Sequence, residues 1–362
     1  METRMQQLIT YMEQQSLDAM LITLPRHVYY LSGFFTDPHE RFLGLVLPKQ
    51  AEPFLLVPAL DREAAEAASS VKKVYTHSDT DNPYLLLKKY LPSSMSCVGV
   101  EKTHLTVSQF EALTAVIGAE QYIDIEKPLR DMRVRKTPEE AARIKRAAQL
   151  IEAALGATLP KVKAGVTEVE LVAELEYQMK KAGADGPSFS TMVLAGENSA
   201  LPHGKPGTRK VQQGELLLFD CGVYAEGYAS DITRTFAVGD VDEKLVDIYN
   251  TVLQANLAGI EAARPGVSLG SLDRAARSVI ENKGYGEYFI HRLGHGLGLD
   301  VHEYPSIHGE NEDLVVEGMV FTVEPGIYLP GHGGVRIEDD VFVTKDGIEI
   351  LTSFPKELTV IG

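Results

Sequence analysis

The sequence predicts a mixed α/β domain followed by an α+β domain built from two similar halves. Over the first ~125 residues, amphipathic and apolar segments alternate at the lengths of single helices and strands. The alternation breaks at Lys127-Pro128, and Thr137-Pro138-Glu139-Glu140 then supplies a capping box with proline at the first helical position. Beyond it, Gly165 and Gly183 return as Gly266 and Gly284, each 101 residues on. A constant offset points to an internal duplication; the alternative is that glycine simply recurs wherever a helix is capped. At 362 residues with 44% hydrophobic and 24% charged positions, the chain can bury the cores of about two domains.

In chain order, apolar residues at helical spacing predict helices over 3–15 and 107–117. Short runs rich in branched and aromatic residues predict strands at Ala19 to Thr23, Phe42 to Leu47, Pro53 to Val57, Val71 to Thr76, Cys97 to Val100 and Gln121 to Ile125. We place the first domain at 1–127, a linker at 128–137 and the second domain at 138–362. In the second domain a helix spans 138–158, another runs to Lys181-Ala182-Gly183, and strands follow. A helix from about 243, one ending at Asn282-Lys283-Gly284, and more strands repeat that order.

Composition excludes several classes. Thirty-five Lys and Arg against 51 Asp and Glu give a formal charge of −16, which repels phosphate backbones and anionic lipid, so no nucleic acid or membrane partner is expected. Cys97 and Cys221, the 2 cysteines, draw neither a disulfide framework nor a zinc ribbon, consistent with a reducing cytoplasm. Residues 1–15 read as neither signal nor transit peptide, and no apolar run approaches the ~20 residues that span a bilayer.

The chemistry lies in two hairpins. Leu216-Leu217-Leu218-Phe219-Asp220 is an apolar strand ending in a carboxylate; the chain turns near Ala225-Glu226-Gly227 and returns through Asp231-Ile232-Thr233. A hairpin centred between Ala225 and Glu226 sets Asp220 opposite Asp231. A second, centred on Gly331, sets Glu324 opposite Glu338. Opposed like charges destabilise a ladder unless a cation lies between them. Between the hairpins stand His291, His295 and His302, with His203 farther upstream, and Gly294-x-Gly296-x-Gly298 suggests close approach of backbone to a small ligand. One imidazole and four carboxylates form an oxygen-rich, anionic donor set suited to two divalent cations.

This ordered set, Asp220, Asp231, His295, Glu324 and Glu338, with Gly294-His295-Gly296-Leu297-Gly298, His302-Glu303, Val323-Glu324-Pro325-Gly326 and Val335-Arg336-Ile337-Glu338-Asp339, resembles the pita-bread metallopeptidases. The likeness is closest to proline dipeptidases and Xaa-Pro aminopeptidases, and the N-terminal region resembles the creatinase-type domain that precedes their catalytic domain. The resemblance implies an α/β creatinase-type domain followed by a pseudo-symmetric pita-bread domain. It also implies a metal site in which Asp231 and Glu338 bridge two cations, Asp220 completes one, and His295 with Glu324 completes the other. Manganese is expected, with cobalt possible and zinc less suited. A water made acidic by both cations would attack the scissile carbonyl as hydroxide, with Glu324 taking up and passing on its proton.

On the same resemblance, His302 and His203 steady the substrate carbonyl and oxyanion, and His291 lines the proline pocket. Arg336, on the face of Glu338, either holds the carboxylates in place or reaches substrate, and Thr233 hydrogen-bonds the ligand shell. His39 and Arg41, in the polar loop 35–41, would sense a short substrate's end if a homodimer brings that loop over the partner's site; otherwise the loop is a solvated connection. Cys221, next to Asp220, faces the other way as a small buried residue. His77, His104, His308 and His332 are expected at the surface. The implied activity is release of proline from Xaa-Pro dipeptides in the cytoplasm. The alternatives are an Xaa-Pro aminopeptidase acting on longer peptides and a non-catalytic peptide-binding module.

Overall fold

The computed structural model describes residues 2–362, which form two compact units, one ending at Arg133 and one spanning Val134–Gly362. Among the described residues no helix is long and apolar enough to cross a membrane.

The first unit contains β1 (Ala19–Ile22), β2 (Gly44–Pro48), β3 (Phe54–Pro58), β4 (Lys73–His77), β5 (Met95–Val100) and β6 (Ala119–Asp124). They form one sheet in the order β4-β3-β2-β1-β5-β6, antiparallel at its centre and parallel toward both edges. The three central strands β1, β2 and β3 are buried along their whole length, which is why they read as continuous apolar runs. Around the sheet lie α1 (Glu2–Gln14), α2 (Pro25–Ser32), α3 (Arg62–Ala68), α4 (Pro83–Tyr90), α5 (Val107–Val116) and α6 (Glu126–Val134). The boundary between the units falls within the segment expected as linker, much of which is α6, Pro128 lying in its first turn where a missing N–H costs nothing. One expectation needs correcting. His77, expected at the surface, is buried with Nε2 2.8 Å from the carbonyl of Phe42.

Helix α2 was not foreseen from its sequence, and its cap explains why. Leu24 at the N-cap has no side chain to offer; Glu101, distant in sequence, accepts from the amides of Leu24, at 2.8 Å, and Thr23. The other oxygen of Glu101 meets His27 Nδ1, and Arg133 Nη1 donates to His27 Nε2 at 2.9 Å. A guanidinium only donates, so Nδ1 carries the imidazole proton and gives it to Glu101. Burial pushes the Glu101 carboxyl up, but His27 and the two amides outweigh it and hold it below the ordinary range.

The second unit carries the duplication. Its first half holds α7 (Pro138–Thr158), with the expected Thr137–Glu140 capping box, and α8 (Glu168–Ala182). Strands β7 (Gly186–Pro187), β8 (Met192–Ala195), β9 (Glu215–Cys221), β10 (Val223–Ala225), β11 (Tyr228–Ala229) and β12 (Ile232–Val238) follow. The second half repeats the order with α9 (Glu243–Ala262) and α10 (Leu269–Asn282). Its strands are β13 (Gly294–Gly296), β14 (Glu303–Ile307), β15 (Val320–Val323), β16 (Gly326–Leu329), β17 (Gly333–Arg336), β18 (Asp339–Val343), β19 (Ile348–Ile350) and β20 (Val360–Ile361). The recurring glycines share one left-handed conformation, φ 95° and 91° at Gly165 and Gly183, 89° and 81° at Gly266 and Gly284. The offset then lengthens: Gly214, Asp220 and Gly227 stand 104 residues before Gly318, Glu324 and Gly331.

The two main sheets run β20-β12-β9-β8 and β14-β13-β15-β18-β19. One core gathers Leu155, Leu175, Val193 and Phe219 under the first; the other gathers Val252, Leu272, Phe321 and Val341 under the second. A seam joins the halves where β12 meets residues 336–340. There Glu338 N donates to Thr233 O at 3.2 Å and Thr235 Oγ1 to Arg336 O at 3.0 Å. Asp231 N donates to the Asp340 carboxylate at 3.1 Å. Arg234, fully buried, donates to Asp339 at 2.9 Å and to the carbonyls of Phe354 and Pro355, pinning the C-terminal segment behind the seam.

Candidate metal centre

The second hairpin has the expected register. Val323 pairs with Asp339 and Gly326 with Arg336, so Glu324 and Glu338 face each other between these pairs. The first is corrected by two residues: Ala225 pairs with Tyr228, and Asp220 lies opposite Thr233 rather than Asp231. The cause is the turn. Glu226 and Gly227, at φ 50° and 79°, both take the positive values that a two-residue hairpin turn of the favoured twist requires, which moves its centre one residue downstream. A shift of two preserves the face. Asp231 thus lies diagonally from Asp220 on the same side of the ladder, and Thr233 occupies the opposed position, its hydroxyl donating to Glu338 Oε2 at 2.6 Å.

The five side chains converge. Asp220, Asp231 and Glu338 each offer an oxygen within 4.8 Å of the others, and His295, Glu324 and Glu338 form a second such triad. The two triads share Glu338. His295 Nε2 lies 3.2 Å from Glu324 Oε1 and 3.7 Å from Asp231 Oδ2, while Nδ1 is 3.2 Å from the carbonyl of Gly296. A carbonyl accepts only, so Nδ1 is protonated on that side and Nε2 is the nitrogen turned toward the carboxylates. The flanking glycines serve packing: a Cβ at Gly294 would lie 1.9 Å from the Thr322 carbonyl oxygen, and one at Gly296 2.2 Å from that of Tyr304. Neighbouring backbone, not ligand, is what approaches them.

The electrostatics describe a site with more negative charge than the guanidinium beside it, Arg336, offsets. Burial raises Asp231 and Glu338 well above the carboxylate range, and the other acids of the cluster add to it. Burial also raises Asp220, against the opposing pull of Arg336. Glu324 alone goes down: burial, the largest single influence, would raise it, but His295 together with His291 and Arg336 brings it to about 2. Asp231 Oδ1 is buried with no hydrogen-bond partner. An orphaned carboxylate oxygen inside a set of four acids and one imidazole fits divalent cations and little else.

Arg336 is fully engaged. It donates to Asp220, to Thr233 Oγ1 at 3.1 Å and to Tyr328 Oη at 2.8 Å. Tyr328, which the sequence reading passed over, joins it to His291 Nε2 at 2.8 Å, and His291 Nδ1 lies 2.7 Å from the carbonyl of Arg292. That carbonyl fixes the proton on Nδ1, so Tyr328 donates to Nε2. Burial raises Tyr328 to about 12 and lowers His291, keeping both neutral. His302 lies against His295, their ring centroids 3.7 Å apart and the rings tilted by 37°; burial, then His295, lowers it to about 4.

A cleft of about 990 Å³ opens onto these groups, lined also by Phe189, Met192, Leu201, His203, Lys205, Ile290 and Arg292. His203, His291, His302 and Arg336 are therefore all at the cleft. His39 and Arg41 are not among its lining residues: they belong to the first unit, where Arg41 donates to Asp79 at 2.7 Å. Cys221 is buried as expected, and burial first, then Asp220 and Asp231, pushes its thiol well up, so it stays protonated and inert. Arg292 was missed because nothing in its spacing separates it from a surface arginine; its guanidinium meets Ser306 Oγ at 2.9 Å.

Comparison with known proteins agrees with this geometry. Residues 142–345 match metallopeptidase family M24, and residues 4–135 match the creatinase/prolidase N-terminal domain. A putative dipeptidase of Bacillus subtilis, YkvY, is 45% identical over 361 residues, covering 99% of each chain. The prolidase from Pyrococcus horikoshii OT3 superimposes with a TM-score of 0.91 at 36% identity, covering 98% of this chain and 99% of that one. An X-Pro aminopeptidase from Thermotoga maritima MSB8 gives 0.87 at 34%, covering 96% and 99%.

Proposed function

The chain belongs to metallopeptidase family M24, and from that premise we propose that it hydrolyses the Xaa-Pro bond of dipeptides, releasing proline. The observation that carries the reading is the pair of donor triads sharing Glu338, with His295 Nε2 facing them. Asp220, Asp231 and Glu338 would hold one cation and His295, Glu324, Glu338 and Asp231 the other, with manganese or cobalt suiting the oxygen-rich set better than zinc. Bound there, the cations supply Lewis acidity and an acidic water for attack on the scissile carbonyl.

The chain's own residues do the rest. Glu324, ionised at neutral pH, accepts the water's proton and returns it to the leaving imino nitrogen of proline. His302 and His203 face the cleft as donors to the developing oxyanion. His291, held by Tyr328, borders the proline ring. Arg336 holds Asp220 and Thr233 in place, which leaves it poorly disposed to reach substrate. Among the described residues no carboxylate pairs with Arg292, and we assign it the substrate's free carboxylate. A homodimer would add His39 and Arg41 from the second copy's loop at the same end of the substrate, and the setting is cytoplasmic.

The likeness to an X-Pro aminopeptidase and the size of the cleft keep a second reading, removal of the first residue from longer Xaa-Pro peptides. The deciding experiment compares proline release from an Xaa-Pro dipeptide with cleavage of an Xaa-Pro-Yaa tripeptide after manganese reconstitution. Preference for the dipeptide supports the first reading; preference for the tripeptide establishes the second; no cleavage of either overturns both.

A further inference from the structure

Among the described residues no hydrogen bond holds the ring of His302, although it lines the cleft and its ring centroid lies 3.7 Å from that of His295. Something else must set its direction. The next residue, Glu303, is anchored: its side chain is 9% exposed, and Oε1 accepts from Lys136 Nζ at 2.8 Å. Lys136 is itself only 2% exposed at the side chain and is fixed by its own backbone, whose N–H donates to Gly318 O at 2.7 Å. Glu303 Oε2 accepts from the amide of Asp300 at 3.4 Å, so one carboxylate ties the lysine to the turn 298–303.

The third glycine of the Gly294-x-Gly296-x-Gly298 series reports the same arrangement. A Cβ at Gly298 would lie 2.8 Å from Glu303 Oε1 and 3.0 Å from Lys136 Cε. The ion pair occupies the space a side chain would need, and Gly298 in turn accepts from the amide of Ala229 at 2.8 Å, binding the turn to the first hairpin. We propose that Lys136 is a positioning residue for His302, acting through the buried carboxylate of Glu303. It lies between α6 and α7, remote in sequence from every other group at the cleft. A buried carboxylate deprived of its ammonium swings toward water, and the turn that carries His302 moves with it.

The inference rests on the proposed reaction for the role of His302, and the experiment separates the two. Lys136→Met, His302→Ala and the double variant are compared in the manganese-loaded full chain by steady-state kinetics on an Xaa-Pro dipeptide and by amide hydrogen exchange. We expect Lys136→Met to lose protection over 298–303 but not over β12, and to lower kcat about tenfold or more with KM within about twofold. The double variant should be no slower than His302→Ala, because the lysine acts through the histidine. If Lys136→Met fails to fold, Lys136→Met with Glu303→Met removes both charges together, which buried pairs tolerate, and should show the same loss of kcat. Unchanged kcat in a variant lacking the pair, or additive losses in the double variant, overturn the proposal. Normal turnover by His302→Ala overturns instead the histidine's place in the reaction, and the lysine's role falls with it.

Discussion

Glu324 is pulled two ways: burial favours its acid form, while His295 at 3.2 Å, with His291 and Arg336 beyond it, favours the carboxylate and brings it to about 2. It is therefore a carboxylate, not an acid, at any pH at which the other groups work. Replacing it with glutamine removes its capacity to accept a proton and a unit of charge while preserving shape, and turnover should fall about a hundredfold or more with metal content confirmed by mass spectrometry. Retention of a tenth of the wild-type rate would place the base elsewhere. The sequence pointed to Arg336 or Arg41 for the substrate's carboxylate; the structure commits the first to Asp220, Tyr328 and Thr233 and pairs the second with Asp79. Arg292 is the better candidate. A charge-assisted contact contributes roughly 1.5–3 kcal/mol, so Arg292→Ala should raise KM for dipeptides about tenfold or more and affect tripeptides less. Equal KM changes on both substrates would remove Arg292 from that role.

At the scale of elements, what was legible followed from local rules and what was not depended on distant partners. Helix α7 announced itself through Thr137 and Glu140, and the second hairpin through Gly331, because caps and turns are written in adjacent residues. The first hairpin was placed one residue early because Ala225 looks as suitable for a turn as Glu226, and only the positive φ of Glu226 separates them. His77 read as a surface histidine since its partner, the carbonyl of Phe42, lies on another segment. The glycines around His295 were visible, but their purpose was not, since it is the backbone of β15 and β14 that crowds them. Gly294→Ala should accordingly push β13 away from β15, costing about 1–3 kcal/mol and lowering activity in proportion to the displacement of His295. A melting temperature equal to wild type in differential scanning calorimetry would show that the strand yields without cost.

For the whole molecule, the anionic centre makes stability depend on cations and on pH together. Asp231 and Glu338, raised by burial and by the charges beside them, contribute most favourably below the ordinary carboxylate range of about 4, and that contribution is lost as pH rises through their raised values. Glu324 runs the other way, its contribution present above that range and lost only as pH falls toward about 2. With Asp220 raised as well, three raised donor acids against one lowered predict that chelation destabilises the protein more at about pH 8 than at about pH 5. Calorimetric scans with and without EDTA check this, and an equal or smaller effect at the higher pH would contradict it. In the other unit, the cap of α2 by Glu101 links a helix to a residue at the end of β5, with most of the intervening sheet strands between them in the chain. An eight-residue helix has little stability alone, and here its closing bond waits for a long loop to shut. The order of events during refolding is thereby constrained: in pulsed hydrogen exchange of the full chain, α2 amides should gain protection no earlier than those of β5. This short helix is in that sense a late clasp on a sheet already assembled.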